Sequence, residues 1–207
     1  MTKEDFIRVL EYPRDKPYAF TLSNYEVNDV VNDNGIIKAN VTFNDNDSFL
    51  KLPNMNITKF EIKNSNVYYI FLGIWQVAQY DTPANILKKN QITSFKATNC
   101  PNLQYLFFGD NKLTEIDLTT MPALKGVNFH DNDLSDLDIS NCPNIKDISI
   151  VRNNFTTVTM DRIVQELINR NVQNCFLDFQ MQKTGQKPTE SLRQQFLALS
   201  TSNYFSV

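Results

Sequence analysis

Glycine, histidine and cysteine are scarce in this chain, and each scarcity closes off a class of chemistry. Five glycines in 207 residues leave no glycine-rich loop to cradle a phosphate and no G-x-S-x-G nucleophile turn. His130 is the only histidine, so a metal site would draw its other ligands from carboxylates and thiols, and neither C-x-x-C nor H-x-x-x-H spacing occurs. No metal and no cofactor is expected. His130 itself reads as a solvent-facing residue. No apolar run approaches the roughly 20 residues that span a bilayer, and MTKEDFIRVLEYPRD lacks a basic segment followed by an apolar one. Insertion into a membrane is not expected. A net charge of −3, from 20 basic and 23 acidic residues, argues against the basic face that nucleic acid requires.

What the chain has is a period. ITSFKATNCPNLQYLFFGDNK from Ile92, LTEIDLTTMPALKGVNFHDND from Leu113 and LSDLDISNCPNIKDISIVRNN from Leu134 follow one another as 21-residue units without a gap. Each carries L-x-x-L-x-L-x-x-N-x-L: Leu103, Leu106, Phe108 and Asn111; Leu124, Val127, Phe129 and Asn132; Ile145, Ile148, Ile150 and Asn153. Side chains alternate along a strand, so Leu106 and Phe108 face a core while their neighbours face out. The asparagine ends each strand at a bend, where its amide satisfies backbone groups, and it should stack from unit to unit. Pro101, Pro122 and Pro143 mark a corner. A second alternating set (Phe95 and Ala97, Ile116 and Leu118, Leu137 and Ile139, Val158 and Met160) forms another inward wall. Repeats of this length stack to bury a core that one unit cannot.

These residues resemble the 21-residue leucine-rich repeats of bacterial surface proteins of the internalin J type, over Ile92 to Asn154. The resemblance implies an α/β, right-handed, horseshoe-type solenoid of short parallel strands with little helix in the repeats. It also implies a ligand-binding concave face and, as a rule, no catalysis.

Outside the match, Ile57, Phe60, Ile62, Val67, Ile70 and Leu72 keep the intervals of Leu103 to Leu118, which makes Phe60 and Ile62 the main-wall pair with Ser65 in the asparagine place. Ile36, Ala39, Val41 and Asn44 read as a looser unit, after an Asn34-Gly35 hairpin signal. Between Leu72 and Ile92 the register slips by about four residues, so 73–91 is an irregular insertion. Downstream, MDRIVQELINR predicts a helix over 160–170, then come a strand near 175–179, a helix opening at Pro188-Thr189-Glu190, and a strand around 204–207. The reading is one domain over 1–207. An N-terminal cap spans 1–35, with a short helix over 3–10, the repeats span 36–159, and a C-terminal cap of helix and strand spans 160–207.

Cys100 and Cys142 lie two units apart, about 10 Å at the spacing of stacked strands, too far for a disulfide. They read, with Cys175, as small buried hydrophobes. Asn44 to Asp47 lacks the glycine and glutamate of a calcium loop and reads as a turn. Glu115, Asp117, Asp136 and Asp138 form an acidic wall, solvated or facing a cation or basic partner. Lys59, Glu61 and Lys63 would join the outward residues of the main wall.

The ligand-binding candidates are the outward residues Tyr105, Phe107, Asn128, His130, Asp147 and Ser149. Exposed aromatics on a flat strand surface anchor protein partners or sugar rings, unless Trp75 and the N-terminal region fold over them. A non-enzymatic module that recognises a protein is the expected function. The alternatives are a carbohydrate-binding surface protein and a structural subunit of a phage particle. Heavy use of Asn, Lys, Ile, Phe and Tyr points to an AT-rich bacterial or phage source. The cell surface or a virion is expected if a leader was removed or a particle delivers the chain, and the cytoplasm otherwise.

Overall fold

A computed structural model describes residues 25–33, 36–43, 49–51, 59–63, 67–73 and 90–207. It is an α/β arrangement of parallel-stranded sheets with few helices. Strands are β1 (Tyr25–Asp33), β2 (Ile36–Phe43), β3 (Phe49–Lys51), β4 (Lys59–Lys63), β5 (Tyr69–Phe71), β6 (Ser94–Thr98), β7 (Tyr105–Phe107), β8 (Gly126–Asn128), β9 (Asp147–Ser149), β10 (Phe176–Asp178) and β11 (Tyr204–Ser206). Helices are α1 (Thr157–Asn169) and α2 (Glu190–Ala198).

Seven strands form one parallel sheet in the order β11-β10-β9-β8-β7-β5-β3, and β1-β2-β4-β6 form the second. Among the described residues only β1 and β2 pair antiparallel, with Asp33 opposite Ile36, as the Asn34-Gly35 signal between them predicts. Leu106, Val127 and Ile148 stand side by side in the long sheet at 21-residue steps. Each is buried, as are Phe108, Phe129 and Ile150 beside them. Full burial of a Leu or Phe side chain contributes roughly 2 kcal/mol. The two sheets share one core, and the Phe95 and Phe108 rings meet edge to face across it at 4.7 Å.

The asparagines bind the units together. Asn132 Nδ2 donates to the carbonyls of Phe108 (2.9 Å), Phe129 (3.0 Å) and His130 (3.2 Å), while its Oδ1 accepts from Leu113 N at 2.9 Å. Asn111 and Asn153 repeat this pattern one unit to either side. The corners also follow the sequence. Leu103, Leu124 and Ile145 donate their N–H to the carbonyls of Cys100, Met121 and Cys142, closing turns with proline in the second position, where its fixed φ fits. All three cysteines are free and buried.

The upstream register differs from the expectation. Phe60 and Ile62 pair with Phe95 and Ala97 in the four-stranded sheet, so Lys59, Glu61 and Lys63 belong to that sheet and not to the main wall. Ile70 instead takes the place beside Leu106. Two alternating apolar pairs ten residues apart, as 60/62 and 70/72 are, fit either assignment, and the ladder chooses the other one. Ile37 and Ala39, rather than Ala39 and Val41, pair with Phe60 and Ile62. Ile70 and Leu106 are 36 residues apart against 21 for Leu106 and Val127, so the insertion adds fifteen residues rather than four. It falls between Leu72 and Asn90. Asn90 is buried and donates to the Leu72 carbonyl at 2.9 Å, taking the asparagine place assigned to Ser65, which lies outside the described residues. So do Trp75, Asn44 to Asp47 and the helix expected over 3–10.

The C-terminal elements occur where predicted, and their strands continue the long sheet as its last two members. Leu177 pairs with Ile148 and Phe205 with Leu177, with α1 and α2 replacing the second wall. Thr156 caps α1 reciprocally with Thr159. The helical period of 3.6 turns Val158 outward, 76% exposed, against the expectation that it faces in, while Met160 stays buried.

Replacing Asn132 with Ala should lower unfolding free energy by about 3 kcal/mol in urea titrations, since three carbonyls and the Leu113 amide lose a buried partner. Asn132→Asp, which keeps the acceptor, should still destabilise. A change below roughly 0.5 kcal/mol would contradict this role.

Candidate functional site

The strand pairing sorts the outward residues of the long sheet into rows. One runs Tyr69, Tyr105, Gly126, Asp147, Phe176, Tyr204, and the next runs Phe71, Phe107, Asn128, Ser149, Asp178, Ser206. All six candidates of the sequence lie on this face. Phe107, Asn128, His130 and Ser149, with Phe71 and Arg152, line a groove of about 430 Å³ across the strand ends.

Tyr105 and Phe107 are half-buried rather than freely exposed. Tyr105 stacks on Tyr69 at 4.8 Å and 7°, and Phe107 on Phe71 at 5.2 Å. Parallel pairing of like residues places ring beside ring, a neighbour hidden from the sequence by the fifteen-residue insertion. The far side of Tyr105 leans over Gly126, where a Cβ would lie 2.8 Å from Cδ1 of the ring and 3.1 Å from Asp147 Cβ. Burial, then the Asp147 charge, raises the Tyr105 pKa.

His130 is not solvent-facing. Its side chain is 13% exposed and its ring lies over Gly109, where a Cβ would come within 2.1 Å of Nε2. Nδ1 sits 2.9 Å from Asp131 Oδ2 and 3.9 Å from Asp110 Oδ2. Arg152 donates to both oxygens of Asp131. Asp110, Asp131, Arg152 and Met181 all have φ between 52° and 57°, a left-handed conformation costing an ordinary residue about 1–2 kcal/mol and least for aspartate. The 21-residue step from Asp110 to Asp131 to Arg152 places them in one line. Sequence reasoning missed this cluster, although G-D after β7 and H-D after β8 recur at the period.

The ligand atoms of Asp110, His130 and Asp131 lie within 4.8 Å of one another, a spacing compatible with a small cation. Asp131 is already engaged by Arg152 and His130, which together hold its pKa down to about 2, Arg152 first. Nδ1 of His130 faces carboxylates rather than a hydroxyl or thiol, so the nucleophile–base pair of acyl transfer is not formed there. Burial pushes the Cys142 thiol up to about 11 and Cys175 to about 12, leaving little thiolate at neutral pH.

Asp147 is half-buried beside Gly126, and burial raises its pKa. The expected acidic wall is more occupied than its sequence implies. Asp136 pairs with Arg162 of α1, Asp117 accepts from Thr119, and Asp138 from Ser140 N at 2.9 Å. Glu115 is exposed. Among the described residues, no helix is long and apolar enough to cross a membrane.

Because the folded Asp131 pKa lies below the unfolded one, near 3.9, its stabilising share is present above about pH 4 and lost as pH falls through about 2. Arg152→Ala should move the Asp131 carboxyl titration, followed by carbon-13 NMR, up toward the ordinary range. An unmoved titration would show that the pair does not form in solution. No protein-family model matches this chain, and a search of curated proteins finds no significant match.

Proposed function

We propose that this chain is a leucine-rich repeat solenoid that works as a non-enzymatic protein-recognition module through the outward face of its long sheet. The observation that carries this reading is the convergence of Phe107, Asn128, His130 and Ser149 from consecutive strands on one groove. The 21-residue register of β7, β8 and β9, with an asparagine amide at each step, supports the solenoid, right-handed and of the horseshoe type. A bacterial surface or a phage particle is the setting we propose.

The ring geometry favours a protein partner over a sugar. A carbohydrate platform needs an open ring face, whereas Tyr69 and Tyr105 cover each other and Tyr105 leans onto Gly126. Around Tyr105 what is left is a mixture of ring edges, amide, hydroxyl and charge, to which the Phe176–Tyr204 pair adds exposed aromatic area of the kind protein-binding patches favour.

The test is crosslinking capture from native extract with the wild-type chain, an Asn128→Arg/Ser149→Arg variant and a Glu115→Arg control, all first checked for equal melting. A partner captured by wild type and control but lost at least tenfold by the groove variant is the expected result. Equal capture by all three, or none by any, would overturn the reading.

A further inference from the structure

Asp147 is the one carboxylate in the row Tyr105, Gly126, Asp147, Phe176. Among the described residues no hydrogen bond or ion pair reaches its side chain, in contrast to Asp131, Asp133 and Asp136, each engaged by an Arg or Lys. It stands beside the side-chain-free step at Gly126, across which leans the Tyr105 ring. On its other side Phe176, its direct partner on β10, is 41% exposed, and Tyr204 on β11 is 51% exposed. Those two rings stack at 4.9 Å and 5°. The row therefore holds a half-buried, unneutralised carboxylate with aromatic rings on both sides.

We propose that Asp147, Tyr105 and Phe176 form a subsite for a cationic side chain, the lysine or arginine of a polypeptide partner. The inference rests on the recognition reading above and names the chemistry of its ligand. A carboxylate supplies the charge, and the edge of Tyr105 and the exposed part of the Phe176 ring suit the alkyl stem and the cationic head. Gly126 lets the Tyr105 ring lie against Asp147, with a Cβ there only 2.8 Å from the ring and 3.1 Å from Asp147 Cβ, so the ring forms one wall of the subsite. The raised pKa of Asp147, from burial, means that its charge costs folding stability at neutral pH and that an arriving cation recovers the loss. Lys146, next to it in the chain, is the cation whose field reaches Asp147, without pairing to it.

The test titrates Ac-Gly-Lys-Gly-amide, Ac-Gly-Arg-Gly-amide and Ac-Gly-Gln-Gly-amide into the full chain while following amide and ring resonances of Tyr105, Asp147 and Phe176. We expect saturable shifts with the two basic peptides, at least fivefold tighter than with the glutamine peptide. Asp147→Asn should weaken binding of the basic peptides about tenfold, the combined scale of a cation–ring contact and an ion pair. That variant should also melt higher than wild type at pH 7, which keeps a loss of binding apart from a loss of fold. Equal affinities for all three peptides, absence of saturation, or unchanged binding by Asp147→Asn would overturn the subsite. The two proposals fail separately. Extract capture that depends on Asn128 and Ser149 while basic peptides do not bind refutes this subsite alone, and the reverse pattern refutes the protein-recognition reading alone.

Discussion

The buried asparagine amide at each 21-residue step is the constraint on which the rest depends. A three-residue strand followed by a bend leaves carbonyls pointing inward where water cannot reach, and such groups cost roughly 1–3 kcal/mol each if unmet. One amide meets three of them and takes a backbone N–H from the preceding segment. Because the Asn132 bonds run to both Phe108 and Phe129, the amide fixes the register between units as well as the bend within one. Shifting the chain by a residue would strand the whole set. Asn90 and Gln182 fill the same place beyond the regular units, Gln182 donating to Ile150 and Phe179, so the device survives changes in segment length.

A fixed register determines what the outer face can be. Like positions align across strands, so a pattern that looks scattered in sequence becomes rows: rings on rings at one end, Asn128 and Ser149 in the middle, Phe176 on Tyr204 at the other. The same alignment sets Asp110, Asp131 and Arg152 in a line at 21-residue intervals, each left-handed at φ. The strain at Arg152 is held by its fork on Asp131. Polar chemistry thus gathers along one margin of a sheet whose described inward strand residues, Ile70, Leu106, Val127, Ile148, Leu177 and Phe205, are apolar.

The regular part of this architecture was legible because its signals were redundant. Period, asparagine, proline corner and alternation agree from Ile92 to Asn154, and the 3.6 period of MDRIVQELINR locates α1 to within three residues of its Thr157 start. Legibility failed where one signal stood alone. Phe60/Ile62 and Ile70/Leu72 are both alternating pairs, and only the hydrogen-bonded ladder reveals that Ile70 belongs beside Leu106. Asn90 was hidden because the insertion separates it from the strand it serves. Among site residues, the face of Tyr105, Phe107, Asn128, His130, Asp147 and Ser149 followed from alternation. That the rings pack on one another, and that His130 rests on Gly109 between two carboxylates, depended on neighbours from other units. Those are long-range facts that no local pattern encodes.

If the proposed recognition reading holds, a partner sits on the outward face of the long sheet. Site-specific photo-crosslinking tests it most directly, with a benzophenone side chain placed at Ser149 or Asn128 and, on the opposite side, at Glu115 or Thr114. A discrete crosslinked species is expected from Ser149 and Asn128 and none from Glu115 or Thr114. A species formed from the opposite side, with none from the face, would contradict that reading.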